Sequence, residues 1–288
     1  MPSSSRIPLA ALAVISACFL LAGMDAIGKY LQQSLPTLQV VWARFFSHFV
    51  LFLLVAIFIY RPANLLKPKR PRLQALRSIL LMAVTILHYL AISQVSLADA
   101  SAVQFFAPVL VTLMAGLFLK ENIQWFKWLA VVLGFCGVLA IIRPGSESFH
   151  PAILLSLLSS VALAGYFIMT RYLKDHDDES ITIYYTPLAG ALIMSLLVGW
   201  VWQTPSLQQA LLLASLGCFG AAGHYLLTFA FHRADASLLS PLLYAQLVAS
   251  ALFSALFFSD IIEISFYIGA GLVIIAGILV SHHSKKAV

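Results

Sequence analysis

The sequence predicts an all-α membrane protein with ten transmembrane helices arranged as two inverted five-helix repeats. Three observations predict this fold class: an apolar composition, ten apolar segments separated by short polar stretches, and two motifs that each occur twice. Hydrophobic residues make up 61% of the 288 residues, charged residues only 10%, and the mean hydropathy is +0.96. Soluble domains carry about 25% charged residues, so this composition excludes a soluble globular protein, and it equally excludes a disordered chain.

The ten apolar segments are candidates for membrane-spanning helices, which need about 20 residues each. Helices are predicted because hydrocarbon offers the backbone no hydrogen-bond partners and because the segments lack the alternation of barrel strands. Arg6 and the apolar segment after it resemble the start of a signal peptide. However, the length of the segment and the lack of a small-residue cleavage site favour a retained helix. In order, the predicted spans are Pro8–Tyr30, Leu38–Tyr60, Leu73–Val95, Ala102–Leu119, Trp125–Ile142, Ala152–Tyr172, Ile183–Trp202, Leu207–Phe231, Leu238–Phe258 and Ser265–Ser281.

Lysine and arginine residues are concentrated in alternate loops, which predicts the orientation of the chain. With the N-terminus in the cytoplasm, fourteen of the 17 basic residues, Arg77 among them, fall on the cytoplasmic side and only Arg143 on the opposite side. Lys29 and Arg44 remain within or near the membrane. Ten spans with both termini in the cytoplasm are therefore predicted, and the net charge of +6 reflects topology rather than a nucleic-acid site.

Two motifs recur 136 residues later in the chain, which indicates an internal repeat. His88-Tyr89-Leu90 recurs as His224-Tyr225-Leu226, and Ala98-Asp99-Ala100-Ser101 recurs as Ala234-Asp235-Ala236-Ser237. We therefore expect residues 1–147 and 148–288 to form two units of five helices each. Because five is odd, the second unit enters the membrane upside down.

Proline residues occur near the start of the fourth and ninth predicted spans. Pro108 and Pro241 lie about one turn apart in the register of the repeat. Because proline lacks a backbone N–H and clashes with the preceding turn, each can bend its helix beside a cavity.

Asp25, Lys29 and Arg44 place three ionisable groups in or near the apolar segments. Asp25 and Lys29 are four residues apart and share a helix face, while Arg44 lies about 10 Å into the second span. Charged groups at membrane depth cost about 2.5–3.5 kcal/mol on insertion scales and are functional by default. The alternative is structural: an ion pair of Asp25, with Lys29 or Arg44 extending to the interface.

Arg44 has no basic counterpart in the second repeat, where the register reaches Thr186 and Pro187. A residue needed only to fold both halves would more naturally occur twice. Arg44 is therefore predicted to bind an asymmetric ligand through a carboxylate, a phosphate or an electron-rich ring edge.

The His-Tyr pairs form a second group of polar residues in apolar segments. Histidine exchanges protons near neutral pH, and tyrosine stacks on planar solutes while hydrogen bonding at its edge. Alternatively, these side chains hydrogen bond to neighbouring helices and hold them together. Further aromatic or amide residues within the spans predict an aromatic, hydrogen-bonding cavity, although each alone is compatible with packing: Trp42, Gln104, Tyr166, Tyr184, Tyr244 and Gln246.

Other polar clusters are weaker as candidates for chemistry. The stretch 174–179 resembles a metal or diphosphate motif, but it has no second acidic cluster and is interpreted as a solvated turn. Cys18, Cys136 and Cys218 lie in apolar runs, which predicts neither a disulfide framework nor a metal site. We find no catalytic motif and no nucleotide-binding loop, so we expect no catalytic residues, no metal and no cofactor.

Several features of the chain form one pattern from end to end. They are the five-plus-five repeat, Lys29, Arg44, the Ser96–Ser101 turn, Pro108, the acidic Leu119–Glu121 end of the fourth span and the glycine-rich fifth and tenth spans. This pattern resembles the EamA-type branch of the drug/metabolite transporter superfamily. The resemblance implies a secondary carrier of small metabolites in the bacterial inner membrane, with a central cavity lined by both halves.

Within that superfamily, Met24–Leu31 together with Gln39–Arg44 looks most like a subgroup that includes bacterial riboflavin uptake proteins. The resemblance thus implies riboflavin uptake. The alternatives are export of amino acids or other small metabolites and, in a different class, a membrane-embedded enzyme acting on a lipid-soluble substrate. The expected partners are a small-molecule substrate and the lipid bilayer, not nucleic acid, and a homodimer is a candidate assembly.

The candidate residues divide into two roles in such a carrier. Gating or proton coupling is assigned to Asp25, Lys29, His88 and His224. Substrate contacts are assigned to Arg44, Trp42, Tyr89, Tyr166, Tyr225, Tyr244, Gln104 and Gln246.

Overall fold

The computed structural model describes residues 6–58, 67–118, 125–147, 149–173, 176–231, 233 and 239–283. Within these ranges all regular secondary structure is helical. The helices are α1 (Arg6–Leu31), α2 (Thr37–Phe58), α3 (Pro71–Ile92), α4 (Leu97–Gln104), α5 (Ala107–Phe118), α6 (Trp125–Ile142), α7 (Ile153–Leu173), α8 (Glu179–Tyr185), α9 (Leu188–Leu197), α10 (Leu207–Phe231), α11 (Ala245–Phe258) and α12 (Ile264–His283). The predicted repeat of the motif at 234–237 and the acidic end of the fourth span at 119–121 lie outside the described residues.

The helices confirm a multi-pass membrane fold. Seven segments are long and apolar enough to cross a bilayer: Pro8–Leu31, Thr37–Leu54, Pro71–Ile92, Trp125–Ile142, Ile153–Leu173, Ile181–Trp200 and Leu207–Leu227. Three more apolar helical segments are shorter: Leu97–Val111, Leu242–Phe258 and Ile264–Leu279. Together they account for the predicted segments, while the count of ten complete spans and the side of each terminus stay predictions.

The fourth predicted span is interrupted, as its proline indicated. It consists of α4 and α5, separated at Phe105 and Phe106, with Pro108 in the first turn of α5. The helix also begins at Leu97, five residues before the predicted start, because Ser96 caps it. The Ser96 hydroxyl oxygen accepts a hydrogen bond from the Asp99 backbone N–H at 3.0 Å, and the same hydroxyl donates to the Asp99 carboxylate at 2.8 Å.

The seventh and ninth predicted spans are also irregular. Thr186 and Pro187 separate α8 from α9, and a 3₁₀ turn at Val198–Trp200 follows. Pro187 was not among the prolines predicted to bend a helix. Before α11, the segment Ser240–Tyr244, which contains Pro241, forms a 3₁₀ helix. Three of the apolar segments therefore change backbone geometry next to a proline, a residue that disfavours continuation of the preceding helical turn.

Helices from the two halves of the chain pack in matching pairs. α1 packs on α10, and α3 packs on α7. In the register of the sequence repeat, α7 corresponds to α1 and α10 corresponds to α3, so these two contacts are the same pair in two copies. This is the packing that two repeats would produce, although the boundary at residue 147 stays a prediction.

Glycine residues allow two of the interhelical contacts to be unusually close. A Cβ atom on Gly137 of α6 would lie 2.7 Å from the Gly269 carbonyl oxygen of α12, and one on Gly269 would lie 2.6 Å from the Gly137 carbonyl oxygen. A Cβ atom on Gly217 of α10 would overlap the backbone of Ser47 and His48 in α2. Small residues at such crossings are typical of membrane helices, where close van der Waals packing drives association.

Candidate functional site

Asp25, Arg44 and His88 meet where α1, α2 and α3 come together. The Asp25 Oδ1 atom lies 3.6 Å from Arg44 Nη1, and the Asp25 Oδ2 atom lies 3.8 Å from His88 Nε2. Both distances exceed those of hydrogen bonds, so the contacts are electrostatic. The Asp25 and His88 side chains are 7% and 3% exposed, among apolar neighbours that include Met24 and Phe45.

Several polar atoms of this cluster make no hydrogen bond. Asp25 Oδ1, both ring nitrogens of His88 and the Tyr89 hydroxyl oxygen are buried, without a hydrogen-bond partner in the described ranges. The Arg44 guanidinium carbon lies 5.4 Å from the centroid of the Tyr89 ring. Because native structures satisfy nearly all buried polar groups, and each one left unpaired costs about 1–3 kcal/mol, their concentration here makes this cluster the candidate ligand-binding site.

Two further histidines stack beside this cluster. The rings of His48 in α2 and His224 in α10 are 6.1 Å apart and nearly parallel. His48 is buried, and its Nε2 atom has no hydrogen-bond partner in the part of the chain that the structure describes. His48 was missed in the sequence, although it follows Arg44 by four residues and therefore shares a helix face with it.

Lys29 belongs to a different contact from Asp25, although the two residues share a helix. Its Nζ atom donates a hydrogen bond to the Val95 carbonyl oxygen at 2.7 Å and lies 3.5 Å from Asp260 Oδ2. Ser254 of α11 donates to the same Asp260 oxygen at 2.5 Å. Asp25 thus forms its ion pair with Arg44 and not with Lys29. Lys29 instead joins the end of α1 to both the α3–α4 loop and the α11–α12 loop.

A second ion pair lies at the same end of the bundle. Arg143, which follows α6, pairs with Glu263, which precedes α12. The Lys29–Asp260 and Arg143–Glu263 pairs thus both connect the first half of the chain to the second at this end.

Arg77 is the centre of a polar cluster between α3, α7 and α8. The side chain is buried and donates hydrogen bonds to Tyr166 Oη at 2.6 Å and Thr170 Oγ1 at 2.7 Å. It also donates to the Thr182 carbonyl oxygen and to Thr186 Oγ1, both at 3.0 Å. From the sequence, Arg77 was interpreted only as a charge on the cytoplasmic side, and its role in this cluster was missed.

The burial of Asp177 contradicts one prediction about the acidic stretch 174–179. The stretch 174–179 was interpreted as a solvated turn, but Asp177 is only 6% exposed. Its carboxylate accepts hydrogen bonds from the Lys69 backbone N–H at 2.6 Å and from Gln74 Nε2 at 2.9 Å. That interpretation is therefore wrong for Asp177, whereas Asp178 is exposed and residues 174 and 175 lie outside the described residues.

The remaining predicted contact residues are dispersed over the molecule. Trp42 Nε1 donates a hydrogen bond to Ser195 Oγ at 2.9 Å, and Gln104 Nε2 donates to Ser159 Oγ at 2.8 Å. Tyr225 is 67% exposed on α10. The structure thus joins Tyr89 to Arg44 but places Trp42, Gln104 and Tyr225 in other contacts.

Tyr244 and Gln246 lie around the start of α11. Tyr244 is buried, 5.7 Å from the Phe105 ring, and its hydroxyl occupies the space that a side chain on Gly277 would need. Gln246 is half-buried. Tyr184, the remaining aromatic candidate, has its ring 6.1 Å from Phe49.

Comparison with known proteins gives a family match over most of the chain. The family model described as the EamA-like transporter family matches residues 8–143 and again residues 150–282. A solved crystal structure of a protein superposes with a TM-score of 0.64 at 16% identity, covering 96% of this chain and 98% of that chain. This likeness shows a shared fold.

Three relatives illustrate the range of similar proteins. The S-adenosylmethionine uptake transporter of Rickettsia bellii is 29% identical over 91% of this chain and 90% of its own length. The riboflavin transporter of Brucella anthropi is 33% identical over 64% of this chain and 67% of its own length. The pseudopaline exporter CntI of Pseudomonas aeruginosa is 27% identical over 95% of this chain and 96% of its own length.

Proposed function

The chain belongs to the EamA-like transporter family, and we propose that it is a secondary transporter that takes up S-adenosylmethionine across the bacterial inner membrane. The relatives named for uptake of this compound align over 91% of the chain. The riboflavin transporters align over 62% and 64% of it. Similarity over nearly the whole length favours the first substrate over riboflavin, which the sequence alone had favoured.

The observation that carries this proposal is the buried cluster of Asp25, Arg44, His88 and Tyr89. It combines a carboxylate, a guanidinium and an aromatic ring with several unpartnered polar atoms. S-Adenosylmethionine carries an ammonium, a carboxylate, a sulfonium and a planar base, so each type of group has a chemically matched partner here.

Transport by this chain would proceed by alternating access between two inverted repeats, residues 1–147 and 148–288. The Lys29–Asp260 and Arg143–Glu263 pairs would close the end of the bundle that the positive-inside rule places outside. A gradient would supply the energy, with His88 and His224 as candidates for proton coupling. Both termini would lie in the cytoplasm.

Riboflavin uptake is the second candidate function. Two relatives named as riboflavin transporters are 28% and 33% identical to this chain over their aligned regions. Trp42 stacks on Phe46 with ring centroids 5.0 Å apart, which gives α2 an aromatic surface suited to a flat ring. The pseudopaline exporter keeps export open as the third candidate.

Flux through the purified protein tests the proposal. We expect proteoliposomes that contain the full chain to accumulate radiolabelled S-adenosylmethionine saturably when a proton gradient is imposed, and protein-free liposomes to show none. Riboflavin, tested in parallel, should move more slowly. Saturable flux of riboflavin without flux of S-adenosylmethionine would reverse the order of the two candidates. No protein-dependent flux of either compound in either direction would contradict both.

A further inference from the structure

We propose that Asp25 and Arg44 together bind the head group of an α-amino acid, so that the transported molecule carries its ammonium and carboxylate on one carbon atom. This inference rests on the proposed function and deepens it, because it specifies the part of the substrate that the buried cluster recognises. It also distinguishes amino-acid conjugates from neutral planar solutes such as riboflavin.

The geometry of the pair supports this assignment. Asp25 on α1 and Arg44 on α2 hold opposite charges side by side, with 3.6 Å between Oδ1 and Nη1. An α-amino acid presents its own opposite charges at a similarly short separation. Placed alongside the pair, its ammonium contacts Asp25 while its carboxylate contacts the planar guanidinium, which suits bidentate recognition of carboxylates.

The electrostatic balance favours a zwitterion over a simple ion. The charges of Asp25 and Arg44 cancel, and so do those of an amino-acid head group. A ligand with only a positive charge would be attracted to Asp25 but repelled by Arg44, and a ligand with only a negative charge would experience the reverse. Because the Asp25 and Arg44 side chains are only 7% and 17% exposed, these interactions are stronger than they would be in water.

The unpartnered atoms of α3 complete the site. An ammonium group has three N–H donors, whereas a carboxylate has four lone-pair positions. His88 and Tyr89 supply two ring nitrogens and a hydroxyl that are buried, with no hydrogen-bond partner among the described residues. These groups can form hydrogen bonds with the ammonium donors and carboxylate acceptors of the ligand that Asp25 and Arg44 do not engage. The apolar surroundings exclude competing water and sharpen this selection.

Ligand binding to the full chain in detergent, measured by thermal stabilisation, tests the inference directly. S-Adenosylhomocysteine keeps the amino-acid head group but lacks the sulfonium charge, whereas decarboxylated S-adenosylmethionine keeps both positive charges but lacks the carboxylate. We expect S-adenosylhomocysteine to bind and the decarboxylated compound to bind at least tenfold more weakly. Equal binding of the two compounds, or no binding of any compound with an amino-acid head group, would overturn the inference.

Variants of Arg44 test whether this residue binds the carboxylate of the head group. Arg44→Gln should weaken binding of S-adenosylhomocysteine at least tenfold, because the carboxylate contact is lost, and should not weaken binding of the decarboxylated compound, because the repulsion of its positive charges is removed. Arg72→Gln is the matched control, since Arg72 is exposed at the start of α3. If Arg44→Gln does not fold, Arg44→Lys keeps the charge without the bidentate geometry and should show a smaller loss of the same selectivity. Equal affinities of the wild type and both Arg44 variants for S-adenosylhomocysteine would place the head group elsewhere.

The failure of this inference can be distinguished from the failure of the proposed function. Head-group-dependent binding without flux in proteoliposomes would contradict transport and leave the binding site intact. Flux of S-adenosylmethionine that the decarboxylated compound inhibits as strongly as S-adenosylhomocysteine would support transport and refute head-group recognition.

Discussion

The Tyr166 hydroxyl accepts a hydrogen bond of 2.6 Å from Arg77 Nη2, while the Arg77 guanidinium carbon lies 4.5 Å from the centroid of the Tyr166 ring. One arginine thus joins α3 of the first half to α7 of the second by both a hydrogen bond and a cation–π contact. Thr170 and Thr186 accept further hydrogen bonds from the same guanidinium. In the related pair of α1 and α10, Gly223 instead packs on Leu21. The two copies of this helix pair are therefore joined by different chemistry.

We expect Tyr166→Phe to lower the free energy of unfolding by about 1.5–3 kcal/mol, since a hydrogen bond to a charged group is lost in a buried place. Thermal unfolding in detergent would measure the change. Tyr225→Phe is the control, because Tyr225 is 67% exposed and its loss should change little. If Tyr166→Phe instead leaves stability intact and raises KM for transport, Tyr166 acts as the substrate contact predicted from the sequence.

Gly217→Ala should separate α10 from α2 because its methyl group overlaps the backbone of Ser47 and His48. Overpacking of this kind costs about 1–3 kcal/mol, and thermal unfolding with far-UV circular dichroism would detect it. The matched control is Gly271→Ala in α12, where a Cβ atom would meet no described atom within 4 Å. Equal stability of the two variants would show that the α2–α10 contact is looser than the structure indicates.

Lys29→Gln should open the end of the bundle where Lys29 contacts Asp260 and the Val95 carbonyl oxygen. A cysteine introduced at Val95, with Cys136 and Cys218 replaced by serine, would report this opening. Its labelling by an impermeant maleimide should be faster in the Lys29→Gln background than with Lys29 present. We expect the variant to fold, because Asp260 keeps the hydrogen bond from Ser254, and thermal unfolding in detergent would verify this.

A charge exchange tests whether the ion pair causes that difference. Lys29→Asp combined with Asp260→Lys should return the labelling rate toward that of the parent protein, because the attraction is restored with reversed polarity. Unchanged labelling in all three backgrounds would show that Lys29 does not control access from this end.

Asp177→Asn should destabilise the contact between α3 and the loop before α8. The substitution weakens the hydrogen bonds from the Lys69 backbone N–H and from Gln74 Nε2, and we expect a loss of about 1–3 kcal/mol in thermal unfolding. Asp178→Asn is an adjacent control with an exposed side chain. The interpretation of a solvated turn would be reinstated for the whole loop if the two variants unfold alike.

The sequence predicted the helical membrane fold well because the cost of exposing backbone in hydrocarbon leaves few alternatives. It also singled out Arg44 and Lys29 as candidates, since charges within apolar segments are rare and expensive. The sequence did not predict the partner of Lys29, because Asp260 approaches Lys29 only through the packing of α11 against α1. The sequence likewise did not mark Pro187 as a helix break, since this residue lies inside the predicted span Ile183–Trp202.

In the candidate site, too, the sequence predicted individual residues but not their packing. Asp25, His88 and Tyr89 were singled out individually as polar groups in apolar helices. Their assembly around Arg44 depends on how α1, α2 and α3 pack, which local spacing does not determine. Arg77 was misinterpreted for a related reason: a basic residue six positions after Pro71 is close enough to the helix start to count as a loop charge, and only its tertiary partners show that it is buried.

The reciprocal contact of Gly137 and Gly269 brings the backbones of α6 and α12 together at one crossing, with no side chain between them. Helices in contact at such a point can rotate about it, but they cannot slide past each other without colliding with the neighbouring Ile141 and Leu272 side chains. In the proposed transport cycle, we therefore expect this crossing to act as a pivot between the two halves. During a transport cycle, a distance measured across this crossing should stay constant while distances at both ends of the bundle change in opposite directions.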